Sequence, residues 1–118
     1  MKYLCLIYDD EQQWQKLKKD EVDKIMGEYR AFSQSITKSG QFVGGYQLQP
    51  THTATTVRSR NGKVVTTDGP FAETKEQLGG YFLIEAKDLN DAIQVAARIP
   101  SSKIGSIEVR PVVESSMP

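Results

Sequence analysis

The sequence predicts a single α+β domain, on three observations. Apolar runs of strand length recur at residues 2–8, 41–48, 81–84 and 106–112. Two further segments carry apolar residues at the three- and four-residue steps of a helix face. Between them, Asn61-Gly62 sits inside TATTVRSRNGKVVTT, a β-branched stretch of the kind that folds back as a hairpin. The predicted order is β, α, β, hairpin, β, α, β.

The first strand, KYLCLIY, is apolar on both sides: Leu4, Leu6 and Tyr8 alternate with Tyr3, Cys5 and Ile7, so both faces of its sheet require cover. A polar stretch follows, with Trp14 expected to pack over the start of a long helix. Asp20 is the expected N-cap of that helix over 21–38, with Val22, Ile25, Met26, Tyr29, Phe32 and Ile36 as its apolar stripe and Gly40 as its left-handed stop. QFVGGYQL is a strand where Gly44-Gly45 allow close approach, and Pro50 ends it. The hairpin strands are expected at 53–60 and 63–67, turning through a type I′ pair. GGYFLIEA supplies a central strand. Asp88 caps a helix of about 11 residues with Ala92, Ile93, Ala96 and Ile99 inward and Pro100 as its stop. The last strand, SIEVRPV, turns Ile107 and Val109 inward and Arg110 outward. The domain spans residues 1–113, and 114–118 read as a frayed tail.

This order matches a split βαβ, or ferredoxin-like, sandwich with an inserted hairpin. Two helices cover only one face of such a sheet, so a second copy of the chain is the expected cover for the other and a homodimer the expected assembly.

At 118 residues the chain is long enough to withdraw roughly 65% of its unfolded surface from water. Fifteen Lys and Arg balance fifteen Asp and Glu, which argues against a nucleic-acid-binding field or attraction to anionic lipid. The apolar part of MKYLCLIYDDE is too short for a signal sequence or a membrane span, and a cytoplasmic location is expected. Cys5, the one cysteine, reads as a small buried residue. One cysteine and one histidine make no zinc set, and Asp68, Glu73 and Glu76 follow no metal-loop spacing, so no metal is expected. Neither glycine pair has the strand-to-helix context of a phosphate-binding loop, and no cofactor is expected.

The most unusual stretch is TTDGPFAETKEQLGG at 66–80. Asp68, Gly69 and Pro70 are turn chemistry. Pro70 also suits the first position of a short helix through about Gln77, with Phe71 as an inward anchor. Read functionally, Asp68 is the candidate base, Glu73 and Glu76 candidate proton carriers, and Lys75 a candidate to polarise an oxygen. Tyr8 at a strand end, the single histidine His52 in a loop, and Arg58 and Arg110 on neighbouring strands are candidate ligand-binding groups; Arg110 is also placed to pair with Glu76 or Glu108. Read structurally, the same stretch is a clasp with a solvated charged face.

The string LQPTHTATTVRSRNGKVVTTDGPFAETKEQLGGYFLIEA, with KYLCLIYDDE before it and DLNDAIQVAARIPS and IEVRPV after it, resembles the DGPF branch of the YCII-related family over residues 1–113. The resemblance implies a ferredoxin-like fold that pairs as a dimeric α+β barrel, a bacterial source, and for some members an association with extracytoplasmic-function sigma factors. Relatives of this kind include a dehydrochlorinase acting on a lactone, and the fold resembles that of muconolactone isomerases. Such relatives suggest a histidine in the middle of the first long helix and an aspartate near its end. Those places fall at Tyr29 and near Lys38 here; neither matches, and the pair is not carried over. The expected function is a small-molecule-binding homodimer, an acid/base enzyme on a lactone or keto compound in its catalytic form, with a regulatory module contacting a sigma-type factor as the alternative.

Overall fold

The computed structural model describes residues 1–114; of the tail read as frayed, 115–118 lie outside the described residues. Strands β1 (Lys2–Asp9), β2 (Phe42–Gln47), β5 (Gln77–Glu85) and β6 (Ser106–Pro111) form one antiparallel sheet in the order β2-β5-β1-β6. This is the strand order of a split βαβ sandwich. Strands β3 (Thr55–Arg60) and β4 (Lys63–Asp68) form a separate two-stranded hairpin. Asn61 at φ 53° and Gly62 at φ 76° make its turn, the left-handed pair expected of type I′.

Helices α2 (Lys19–Lys38) and α3 (Leu89–Ala97) lie on one face of the main sheet. Alternation decides which face: Tyr3, Cys5 and Ile7 of β1 are buried with Phe82 and Ile84 of β5, whereas Leu4, Leu6 and Leu83 stay half-buried. Phe32 and Ile36 of α2 and Ala92, Val95 and Ala96 of α3 close this core. Cys5 is fully buried, and loss of hydration pushes its thiol up to about 11, so the inert reading of this residue stands.

Several local expectations are corrected. Helix α2 begins at Lys19 rather than after Asp20, because the Glu21 carboxylate reaches back to the Lys18 amide at 3.0 Å and satisfies the helix start two residues earlier. The polar stretch before it contains a short helix, α1 (Glu11–Gln15), capped by Asp10 accepting from the Gln12 amide at 2.9 Å. In α3 the Asp88 cap accepts from the Asp91 amide as expected, but Val95 faces the core and Ile93 is 49% exposed. No helix forms over 70–77. There the Gln77 amide group donates to the Thr74 carbonyl at 2.6 Å and the Thr74 hydroxyl to the Glu76 carbonyl, local side-chain to backbone bonds that hold the segment as a loop. Phe71 is not an inward anchor: it is 77% exposed, with the Arg58 guanidinium 5.3 Å from its ring centroid.

The folded chain exposes 8604 Å², against about 6,400 Å² for a compact monomer of its mass. Its Cα radius of gyration is 16.2 Å, against about 13.5 Å for a compact domain of this length. The excess reflects the projecting hairpin, in which every β4 residue is exposed, and the half of the sheet that no helix covers.

Ile36 is fully buried and Ile93 is half exposed, so truncation separates the two faces of this core. Ile36→Ala is expected to cost about 2–5 kcal/mol in urea unfolding, and Ile93→Ala about 1 kcal/mol or less. Equal costs would mean that α3 does not sit as described.

Candidate functional site

A cleft of about 430 Å³ opens between α2 and the sheet where β1 ends. Met26, Tyr29 and Ser33, at i, i+3 and i+7, bring one face of α2 to it, and α1 adds Trp14. Trp14 thus lines a cleft rather than simply covering the start of the long helix. Phe82 joins cleft to core: its ring meets Phe32 edge-on at 5.1 Å and stacks with Tyr29 at 6.5 Å and 15°.

Asp9 reaches the cleft from the last position of β1. Just before it the β1–β5 register slips, Ile7 facing Gly80 but Tyr8 facing Leu78, so Gly79 is left over as a bulge; its carbonyl accepts from the Leu48 amide at 2.8 Å. Ser101, fully buried in a 3₁₀ turn at Pro100–Lys103, donates its hydroxyl proton to Asp9 Oδ2 at 3.0 Å. The same hydroxyl shares a 2.5 Å hydrogen bond with the Tyr29 hydroxyl. Three elements remote in sequence therefore meet in one chain of oxygens: Tyr29, Ser101, Asp9.

Gly105 is required for this meeting. The turn is tight, with the Gly105 amide bonded to the Ser101 carbonyl at 2.7 Å. A Cβ at position 105 would come within 2.3 Å of Asp9 Oδ1 and 2.1 Å of the Tyr8 carbonyl oxygen, closer than side chain and backbone tolerate. Oδ1 itself is buried and has no hydrogen-bond partner.

An unpartnered buried oxygen makes the charged form costly, and burial raises the Asp9 pKa above the ordinary 3.8. The Ser101 hydrogen bond and the nearby Trp14 indole oppose the rise, although Oδ1 lacks a geometric partner; the Glu76 carboxylate adds to it. Burial likewise raises Tyr29 and keeps it a phenol. The chain has two proton arrangements. With Asp9 ionised, Ser101 donates to it and Tyr29 donates to Ser101, leaving the phenol oxygen as an acceptor towards the cleft. With Asp9 protonated the direction reverses, and Tyr29 turns donor.

Glu11 fixes the opposite rim. Its carboxylate accepts from the Thr51 amide at 2.8 Å and the Thr51 hydroxyl at 2.9 Å, while its own amide donates to the Gln77 side chain at 2.9 Å.

The residues singled out from the sequence are scattered around this arrangement. Asp68 is exposed in β4, and Glu73 and Lys75 are exposed in the loop before β5; none lines the cleft. Glu76 is half-buried and accepts from the Ser106 hydroxyl at 2.8 Å; of the four it alone bears on Asp9. His52 is exposed on the 3₁₀ turn at Thr51–Thr53, where its neighbour Thr51 makes the contact with Glu11. Tyr8 is half-buried between Leu78 and Ser106, Arg58 lies on the hairpin against Phe71, and Arg110 pairs with Glu108 rather than Glu76. Lys38 is exposed at the end of α2. Asp9 and Ser101 escaped the sequence reading; the one pointer was Tyr29, standing where the resemblance places a catalytic histidine.

Because Asp9 keeps its proton to higher pH folded than unfolded, its burial penalty is absent below about pH 3.8 and complete above the folded pKa. Asp9→Asn should therefore raise the unfolding midpoint at pH 7, with the gain shrinking as pH falls towards 3.8. A loss of stability at pH 7 would show that the charged group is favourable where it sits. Gly105→Ala should destabilise the fold at every pH, since the clash is with backbone as well as with the carboxylate.

The YCII-related domain family matches residues 1–116, essentially the whole chain. An uncharacterized protein of Rhizobium meliloti (strain 1021) is 36% identical over 114 residues, covering 95% of this chain and 92% of that protein. With this strand order and a match along its full length, the chain belongs to the YCII-related family.

Proposed function

We propose that the protein is a homodimer that binds a small metabolite in the Asp9 cleft and carries out cofactor-free acid/base chemistry on a lactone or keto compound. The observation behind this reading is the buried Asp9 carboxyl, coupled through Ser101 to Tyr29 at the wall of a cleft large enough for a ring-sized ligand. Asp9 is the proton acceptor, its raised pKa bringing it closer to neutral working conditions, and Tyr29 holds the substrate oxygen. The reaction polarity follows the proton arrangement of the chain: an ionised Asp9 removes a proton, after which the protonated group makes Tyr29 a donor to the oxygen that has gained charge. Placed here, the proton-carrying role moves from Asp68 to Asp9, with Glu76 tuning it.

The homodimer rests on the uncovered sheet face of Leu4, Leu6 and Leu83 and on the surface excess described above. The regulatory alternative rests on the exposed hairpin, where Val57, Val64 and Phe71 offer apolar surface to a protein partner such as a sigma-type factor.

Sedimentation equilibrium at micromolar concentration should give the mass of two chains; a one-chain mass would remove the homodimer. A thermal-shift screen of lactones, ketones and aldehydes tests the cleft, since a ligand at 100 times its dissociation constant adds about 2.7 kcal/mol. Hits should survive Asp68→Asn, and their turnover should fall about 10²–10⁴-fold in Asp9→Asn. Turnover that depends on Asp68 and ignores Asp9 would return the site to the stretch at 66–80.

A further inference from the structure

The cleft's charge is lopsided. Two carboxylates line it, Asp9 and Glu11, while among the described residues that line it there is no lysine, arginine or histidine. Its remaining polar lining is uncharged, with the amides of Gln15, Gln47, Gln49 and Gln77 prominent. Both Glu11 oxygens are engaged by Thr51 and Asp9 Oδ2 by Ser101, and among the described residues that line the cleft no cation balances either carboxylate. Trp14 and Tyr29 bring aromatic rings to the same space, and ring faces attract positive charge.

An anion entering this space loses hydration and meets repulsion from two carboxylates, with no cation in the described lining to offset it. A cation supplies the counter-charge that Asp9 lacks, and π-faces receive its apolar part.

We propose that the cleft selects organic cations, ring- or alkyl-bearing ammonium compounds, over neutral and anionic molecules of the same shape. This rests on the reading of the cleft as the ligand site and narrows its substrates to lactones or ketones that carry a protonated amine, disfavouring carboxylates and phosphates. Asp9 and Glu11 set the selection, and the glutamine amides accommodate polar groups without adding charge.

The test uses three probes of similar shape and different charge, benzylammonium, benzyl alcohol and benzoate, titrated into the intact protein at pH 7. Trp14, the one tryptophan of the chain, reports by fluorescence from within the lining. Benzylammonium should bind about tenfold or more tightly than benzyl alcohol, and benzoate most weakly. Asp9→Asn should erase the advantage of benzylammonium over benzyl alcohol. Glu11→Gln should reduce that advantage in a second, independent background. Benzyl alcohol binding as tightly as benzylammonium would overturn the charge selection while leaving the cleft as the site. Benzoate binding most tightly would overturn it too, and would point to a cation reaching the cleft from outside the lining. No response of Trp14 to any probe up to tens of millimolar would overturn the selection and the cleft reading together.

Discussion

The architecture around the cleft turns on one hydroxyl. Ser101 Oγ is fully buried and joins a strand end to the middle of the long helix, reaching Asp9 92 residues before it and Tyr29 72 residues before it. A buried hydroxyl needs partners, since leaving it unpaired costs about 1–3 kcal/mol. Here it has a half-buried partner on each side, Asp9 and Tyr29. The 3₁₀ turn after α3, the glycine at 105 and the Gly79 bulge of β5 opposite the end of β1 are the backbone devices around the meeting of the three oxygens. Each allows a close approach that regular helix or strand geometry does not provide.

The fold was legible where its signals are local. Asn61-Gly62 fixes a turn within two residues, Asp88 with Asp91 marks a helix start within four, and alternation in KYLCLIY separates the covered from the uncovered face. The misreadings are also local. Ile93 and Val95 are both apolar, and only the placement of α3 on the sheet decides which turns inward. Pro70 does suit a helix start, but Thr74 and Gln77 make local side-chain bonds to backbone carbonyls that hold the segment as a loop.

The site was less legible because its members are dispersed. The stretch at 66–80 attracts attention through its density of charge, which is a property of neighbours in sequence; chemistry depends on neighbours in space. Asp9 stands in a run, YDDE, that reads as the polar end of a strand, and Ser101 follows a proline that reads as a helix stop. Neither residue carries a mark of function until the turn beyond α3 is folded against β1. Tyr29 was visible as a departure from the pattern of the relatives. In the structure Tyr29 is a phenol bonded through a serine to a carboxylate contributed by a strand.

Placing the carboxylate on a strand end has an energetic consequence. Asp9 Oδ1 is buried without a partner, and the half-buried Glu76 adds like charge, so the arrangement holds the ionised form at a cost. Selection for stability alone would favour an amide at position 9, which makes the same contact with Ser101 and carries no charge. Glu76 itself accepts from the Ser106 hydroxyl at the start of β6. A destabilised carboxyl at the edge of a cleft, wired to a phenol, is the pattern expected when stability is given up for proton transfer or for binding positive charge. The stretch at 66–80 then has a place in the same account: Glu76 adds like charge near Asp9, and Gln77 bonds the Glu11 amide at the rim of the cleft.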